Sequence, residues 1–471
     1  MEQSPNKWLI FLLVAVGIFM STLDGSIVNI ALPTIMDDLD ASLGTVEWVQ
    51  IIYLLTVSSL LLSFGRLSDI KGRRWVYSRG LFVFSAGSLL CGMARTAIWL
   101  ITARSFQGAG AAMIMSCTPA LIMDTFPAEE RGKALGMVGA VVASGLTMGP
   151  ALGGQILHYF PWQAIFYINI PIGIITALIV AKLLKGGNAD IARAESFDWA
   201  GSLLLVCCLS CFIVAITHGY DWGYNSAIFL LLIAGSTVSG TAFVLIEIRI
   251  PYPIVELSLF KIRLFTLPIL SAVILFTSLF TMVFLMPFYL MNPCGFPVKQ
   301  AGYVMVAPFI ALFAVSPVSG ALSDRIGSQV LCTLGMGILT LSLFFLARLS
   351  PDSGLSDIAW RMALAGVGTA IFIAPNSSTS MSSVPPARRG LAAATVAAAR
   401  NFGMVTGIAM AGAIFNSVFY TLSGFNFKGY QPELEPVFMA AFKYAMFAGS
   451  IAAGIGMTLA FLRGPDRKSS L

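Results

Sequence analysis

Apolar runs separated by short polar segments fill this chain from end to end. A hydrocarbon core of roughly 30 Å takes about 20 helical residues to cross. Fourteen runs approach or exceed that length, near 8 to 33, 47 to 65, 75 to 93, 97 to 124, 131 to 157, 163 to 184, 197 to 217 and 226 to 247, then 265 to 291, 299 to 321, 329 to 348, 357 to 381, 389 to 418 and 438 to 462. The runs are continuous rather than alternating, so helices are predicted, not the two-sided strands of a barrel. A helix also satisfies its own backbone hydrogen bonds, which lipid cannot do.

The segments between the runs carry a charge bias. An even number of spans puts both chain ends on one side, and 20 of the 28 Lys and Arg fall on that side, Arg66, Lys71, Arg73, Arg74 and Arg79 among them. Six fall on the other side (Arg95, Lys299, Arg348, Arg361, Lys428, Lys443), where the first loop is acidic, with Asp37, Asp38 and Asp40. Cytoplasmic loops are enriched in Lys and Arg, so both termini are expected in the cytoplasm of a multi-pass protein of the cell (inner) membrane. The first run is too long for a cleaved signal and reads as a retained helix.

Composition agrees: 57% of the 471 residues are hydrophobic and 11% charged, against about a quarter charged in soluble domains. The net charge of +6 reads as anchoring at the cytoplasmic surface, with no nucleic-acid partner. Cys208 and Cys211 form a C-x-x-C inside an apolar run with no His or acid nearby, which favours packing over metal or redox chemistry. No catalytic triad, metal-ligand cluster or nucleotide-binding loop is present, so an enzyme is not expected.

The chain repeats itself. GRLSD, Gly65 to Asp69, returns 255 residues later as GALSD, Gly320 to Asp324. At an offset of 258, GAGAA (Gly108 to Ala112) meets GVGTA (Gly366 to Ala370), PAEERG (Pro127 to Gly132) meets PPARRG (Pro385 to Gly390), and Gly145, Gly149 and Gly154 meet Gly403, Gly407 and Gly412. The shift equals eight spans, so the copies are parallel six-helix repeats, residues 1–185 and 265–471, with a two-helix hairpin inserted at 186–264. Lys182 to Asp198 and Glu247 to Arg263 mark its hinges. Parallel repeats around a central cavity are an architecture of secondary transporters.

Ionisable groups deep in a membrane are costly and mark candidate function. Three stand out: Asp24, Arg104 and Arg400. At about 1.5 Å per residue, Asp24 and Arg104 reach similar depths in the outer half, roughly 24 Å from the cytoplasmic start of the first span and 10 Å from the outer start of the fourth. They can form a fixed ion pair or a proton-coupling site. Arg400, about 17 Å into its span, can meet an anionic group or a helix carbonyl. Tyr53, Gln107, Asn376 and Asn401 are polar residues at pocket depth, amid 34 Phe and 21 Met, a composition suited to bulky amphipathic molecules. On the basic side, Asp69 faces candidate partners Arg73, Arg74 and Arg131, with Asp124 completing a charge cluster, and Gly65 permits close helix packing there. The second copy keeps Asp324 but has Ser328 and Gln329 in place of the two arginines.

Five motifs in order carry a family resemblance: LDGSIVNIALP (Leu23 to Pro33), GRLSDIKGRR (Gly65 to Arg74), RSFQGAGAA (Arg104 to Ala112), GLTMGPALGG (Gly145 to Gly154) and FYINIPIG (Phe166 to Gly173). The chain resembles the major facilitator superfamily, and within it the fourteen-helix drug:proton antiporter branch, over nearly its whole length. That resemblance implies an all-α integral membrane protein of the major facilitator fold. It implies a proton-coupled exporter of drug-like or amphipathic small molecules, driven by the proton gradient with no other cofactor, and acting as a monomer. An organic-anion or metabolite carrier of the same fold is the alternative. Asp24 reads as a proton-coupling carboxylate, with Arg104 as its partner or a lever on its protonation, and the resemblance makes the Asp69 cluster a cytoplasmic gate. Gly145, Gly149, Pro150, Gly153 and Gly154 become a gating or sealing motif. Cation exporters of the branch often carry further membrane-embedded acids in the second half; spans nine to fourteen show none at depth, which points toward neutral or anionic compounds.

Overall fold

The computed structural model describes residues 7–127, 130–183, 198–250, 253–385 and 388–464, apart from a few side chains within its helices, Asp324 among them. Segment 184–197, which holds most of the expected first hinge, and positions 128–129 and 386–387 of the PAEERG and PPARRG repeats lie outside the described residues.

All regular elements among the described residues are helical. The first half holds α1 (Lys7–Asp38), α2 (Leu43–Lys71), α3 (Arg73–Gly92), α4 (Ala97–Thr125), α5 (Arg131–Tyr159) and α6 (Ala164–Leu183). The hairpin is α7 (Trp199–Trp222) and α8 (Ala227–Glu247). The second half holds α9 (Arg263–Met291), α10 (Val298–Val304 continuing as Ala307–Ile326), α11 (Ser328–Leu346), α12 (Leu355–Ser382), α13 (Arg389–Ser423) and α14 (Glu435–Leu462). Thirteen of these spans are long and apolar enough to cross a membrane. The other, α3, has the length but carries Arg73, Arg74, Arg79 and three buried serines.

Two spans predicted as continuous are interrupted. The helix of α6 breaks at Ile168 and that of α10 at Met305–Val306. Pro171 and Pro308 follow these breaks by two or three residues, and a proline has no N–H to continue the ladder backwards.

Packing repeats with the sequence. In the first half α1 packs on α5, α2 on α4, and α3 on α4 and α6; in the second α9 packs on α13, α10 on α12, and α11 on α12 and α14. The halves meet through α2 against α13 and α5 against α10, contacts that exchange under the same shift of eight helices, and through α1 against α9. The hairpin attaches by α7, which lies on both α2 and α13.

One face of the molecule collects the basic loops and both described ends of the chain. Lys7 pairs there with Glu130 at 2.6 Å, and Gln329 Nε2 donates to the Phe461 carbonyl at 2.6 Å. Arg66, Lys71, Arg73 and Arg74, near the α2–α3 turn, belong to this basic face.

Candidate functional site

Repeated glycines set how closely the helices approach, first within each half and then between the halves. On α5, Gly145 and Gly149 lie against Thr22 and Ser26 of α1, where a side chain would collide, and Gly153 lies against Ile27 and Ile30. Ser26 Oγ donates across this contact to the Gly145 carbonyl at 3.2 Å. In the second copy Gly403 and Gly407 lie against α9, with Thr277 Oγ1 donating to the Gly403 carbonyl at 3.2 Å. The third glycine of each set faces the other half. A Cβ on Gly154 stands 2.9 Å from the Val298 carbonyl of α10, Gly302 meets the Pro150 carbonyl, and Gly412 of α13 meets Glu47 of α2. Small residues let helix backbones close on each other in a membrane, and here they seal the end opposite the basic face. Gln155 Nε2 bonds Tyr303 Oη there, and the Leu43 N–H donates to the Phe427 carbonyl at 3.0 Å.

Toward the basic face the halves diverge around a cavity of about 1350 Å³. Its walls are apolar: Leu61 and Leu62 of α2, Met115 of α4, Val138, Val142 and Leu146 of α5, Phe276 and Phe280 of α9, Phe309 and Phe313 of α10, and Ile373 of α12. Arg66, Asp69, Arg73, Asp124 and Arg131 line the rim. Deeper, the ionisable lining residue is Arg400 of α13, whose buried Nε has no hydrogen-bond partner.

Asp24 and Arg104 pair outside this cavity, inside the first half. Arg104 is fully buried and Asp24 is 1% exposed. Arg104 Nη1 donates to Asp24 Oδ2 at 2.5 Å and to Gln107 Oε1 at 2.7 Å, while its Nε donates to the Val49 carbonyl at 3.0 Å. Asp24 Oδ1 accepts from Gln107 Nε2 at 2.9 Å and from Asn169 Nδ2 at 3.0 Å. The Tyr53 ring lies 4.0 Å from the guanidinium carbon, and its hydroxyl donates to the Ser21 carbonyl at 2.9 Å. Both charges therefore have full sets of partners, the condition under which a buried ion pair persists. Asn169 is the member the sequence did not single out. It sits just after the break in α6, two residues before Pro171.

The structure gathers the five expected cavity residues into different places. Arg400 lines the cavity. Tyr53 and Gln107 belong to the Asp24 network. Asn376 joins a buried cluster between α9, α11, α12 and the end of α14: its Nδ2 donates to the Pro268 carbonyl at 3.0 Å, and its Oδ1 accepts from Arg463 Nη1 at 3.4 Å. Asn401 is buried on α13, with an unpartnered amide nitrogen. Tyr53, Gln107 and Asn376 thus use their polar groups to satisfy neighbouring helices rather than the cavity.

The basic-face cluster stays within the first half. Arg73 reaches Asp69 at 3.5 Å and pairs with Asp124. Arg74 bonds the Ala181 carbonyl, and Arg131 Nε donates to the Phe126 carbonyl at 3.1 Å. Gly65 lies beside Ser116 of α4. Asp324 falls on α10, but its side chain lies outside the described residues.

A further buried acid was hidden in the sequence by its position. Glu47 begins the predicted second span, yet α2 starts at Leu43, with Ser42 capping the Thr45 N–H. That places Glu47 a full turn inside the helix and completely buried. The capping serine was the available signal.

Comparisons with known proteins agree with this architecture. The model of the Major Facilitator Superfamily matches residues 14–408. The riboflavin transporter RibZ of Clostridioides difficile (strain 630) is 34% identical over 469 residues, covering 99% of this chain and all of that protein. The multidrug resistance protein Stp of Mycobacterium tuberculosis (strain ATCC 25618 / H37Rv) is 32% identical over 414 residues, 88% of this chain and 76% of that one. A bacterial homologue of the human lysosomal transporter Spinster, solved in an inward-facing, unoccupied conformation, shares the fold with a TM-score of 0.69 at 15% identity, covering 98% and 97% of the two chains. With matching motifs, helix pairing and relatives along its length, this chain belongs to the major facilitator superfamily and is a membrane transporter.

Proposed function

We propose that this transporter exports drug-like or amphipathic small molecules, neutral or anionic, in exchange for protons by alternating access. In this reading the basic face is cytoplasmic, the protein sits in the cell membrane as a monomer, and the structure has its cavity open to the cytoplasm. The observation that carries the reading is the large apolar cavity on the basic face with Arg400 at depth. Apolar and aromatic walls with few polar anchors accept varied flat or greasy molecules, and an unpaired cation in a low-dielectric wall favours an anionic or electron-rich group. The similarity to a multidrug resistance protein supports a broad substrate range, and the similarity to a riboflavin transporter supports an aromatic metabolite as a second reading.

Asp24 is the proposed coupling acid within the first half. Its network fixes it in the present state, and coupling requires that the outward-open state loosen the Arg104 bond enough for a proton to compete. The test uses purified protein in liposomes with an imposed pH gradient and a lipophilic dye, comparing wild type with Asp24→Asn. Gradient-driven accumulation in wild type, with exchange but no accumulation in the variant, supports antiport through Asp24. Equal accumulation in both assigns Asp24 to structure alone.

A further inference from the structure

Glu47 is fully buried, and neither carboxylate oxygen has a hydrogen-bond partner. Its surroundings come from two other helices. Gly412 of α13 leaves the space the carboxylate fills, so any side chain there collides with it. Asn416, one turn along α13, has an unpartnered amide nitrogen. That nitrogen and the Tyr220 hydroxyl of α7 both lie near Gly44, 3.5 and 3.2 Å from where its Cβ would stand. α7 also presents His218 and Asp221 beside the start of α2. His218 Nε2 accepts from Trp48 Nε1 at 3.2 Å, and its Nδ1 lies 3.4 Å from Asp221 Oδ2. Among the described residues no Lys or Arg pairs with Glu47.

An ionised carboxylate buried with no counter-charge or protein donor is among the costliest groups in a protein, whereas the neutral acid forfeits only hydrogen bonds. The location matters as much as the burial. Glu47 lies on the α2–α13 seam, where the halves close the end opposite the cavity mouth. We propose that Glu47 is a proton-binding site of this seam: the seam closes on the neutral acid, and parting the halves exposes the carboxyl to outer water, where it ionises. The carboxyl O–H bond forms on closing with a proton from outer water and breaks on opening, returning it. Acid outside therefore holds the cavity open to the cytoplasm, and alkali outside favours the opposite state. Asp24 lacks this character, because its oxygens are partnered within one half.

The inference rests on the alternating-access reading with the basic face cytoplasmic, and its test needs no substrate. Spin labels go on Asp37→Cys at the end of α1 and Asn426→Cys beyond α13, both exposed on the sealed face. The full chain, with its native cysteines replaced, is placed in lipid nanodiscs, and the inter-label distance is measured from pH 5 to pH 8. Wild type is expected to move from a short to a long distance as pH rises, by up to about tenfold in population per pH unit around the midpoint for one proton. Glu47→Gln, neutral at every pH, is expected to hold the short distance throughout. A Glu47→Gln protein that follows the wild-type pH curve overturns the proposal and leaves alternating access standing. A single wild-type distance at every pH also overturns the proposal. Should Glu47→Gln not fold, Asp221→Asn removes a repelling charge and is expected to move the midpoint to lower pH; an unmoved midpoint overturns the proposal.

Discussion

Arg104 binds Asp24 within one six-helix half, at 2.5 Å and shielded from water, not across the interface between the halves. Truncating one partner therefore leaves the other charged and buried within that half. Arg104→Leu is expected to destabilise the folded protein by about 3–5 kcal/mol. Thermal unfolding in detergent reads this as a large fall in Tm, with the double variant Asp24→Asn, Arg104→Leu recovering part of it. A fall no larger than that of a surface substitution would show the pair to be solvated.

Gly145 and Gly154 share a motif but not a neighbour, so the same substitution has different effects. Gly145→Leu collides with Thr22 inside the first half and is expected to lower Tm, while Gly154→Leu collides with α10 across the seam. The second variant is expected to fold with near-normal Tm and lose transport by about tenfold or more, as the seam cannot close. Parallel unfolding and vesicle-transport measurements separate the two.

Arg400→Gln tests the charge preference of the cavity. Hydrogen bonds to a charged group contribute about 1.5–3 kcal/mol, so an anionic dye is expected to lose about tenfold to a hundredfold in apparent affinity, and a neutral dye much less. Equal losses for both would remove Arg400 from recognition.

Arg73→Ala removes two ion pairs whose members are 30% to 60% exposed. Exposed pairs contribute about 1 kcal/mol or less each. A small change in Tm is expected, and a loss of transport well beyond it would mark the cluster as part of the conformational cycle.

The helices were legible because lipid imposes one rule on backbone and side chains alike. Asp24 and Arg104 were legible as a pair for the same reason, since a lone charge at that depth has nowhere else to go. The rest of the network was not, because Asn169 enters it only through the break in α6. Glu47 was obscured by the opposite effect: an apolar run is bounded where polarity rises, and the polar stretch ahead of Trp48 is itself the first turn of α2. The assignment of polar residues to cavity or packing also escaped the sequence. Asn376 lies nearer the basic-face end of its span than Arg400 does on the neighbouring one, and depth and helix rotation together decide which one meets the open space.

The inserted hairpin breaks the pseudo-symmetry of the two halves. α7 follows the α2–α13 flank along its length, through Ser63 and Ser202 at 2.8 Å, Phe212 and Phe402 at 6.1 Å between ring centres, and Trp48 and His218 at 3.2 Å. The α5–α10 flank has no such companion among the described residues. The two seams between the halves therefore lie in different surroundings: one runs beneath the hairpin, and the other has no helix laid over it among the described residues.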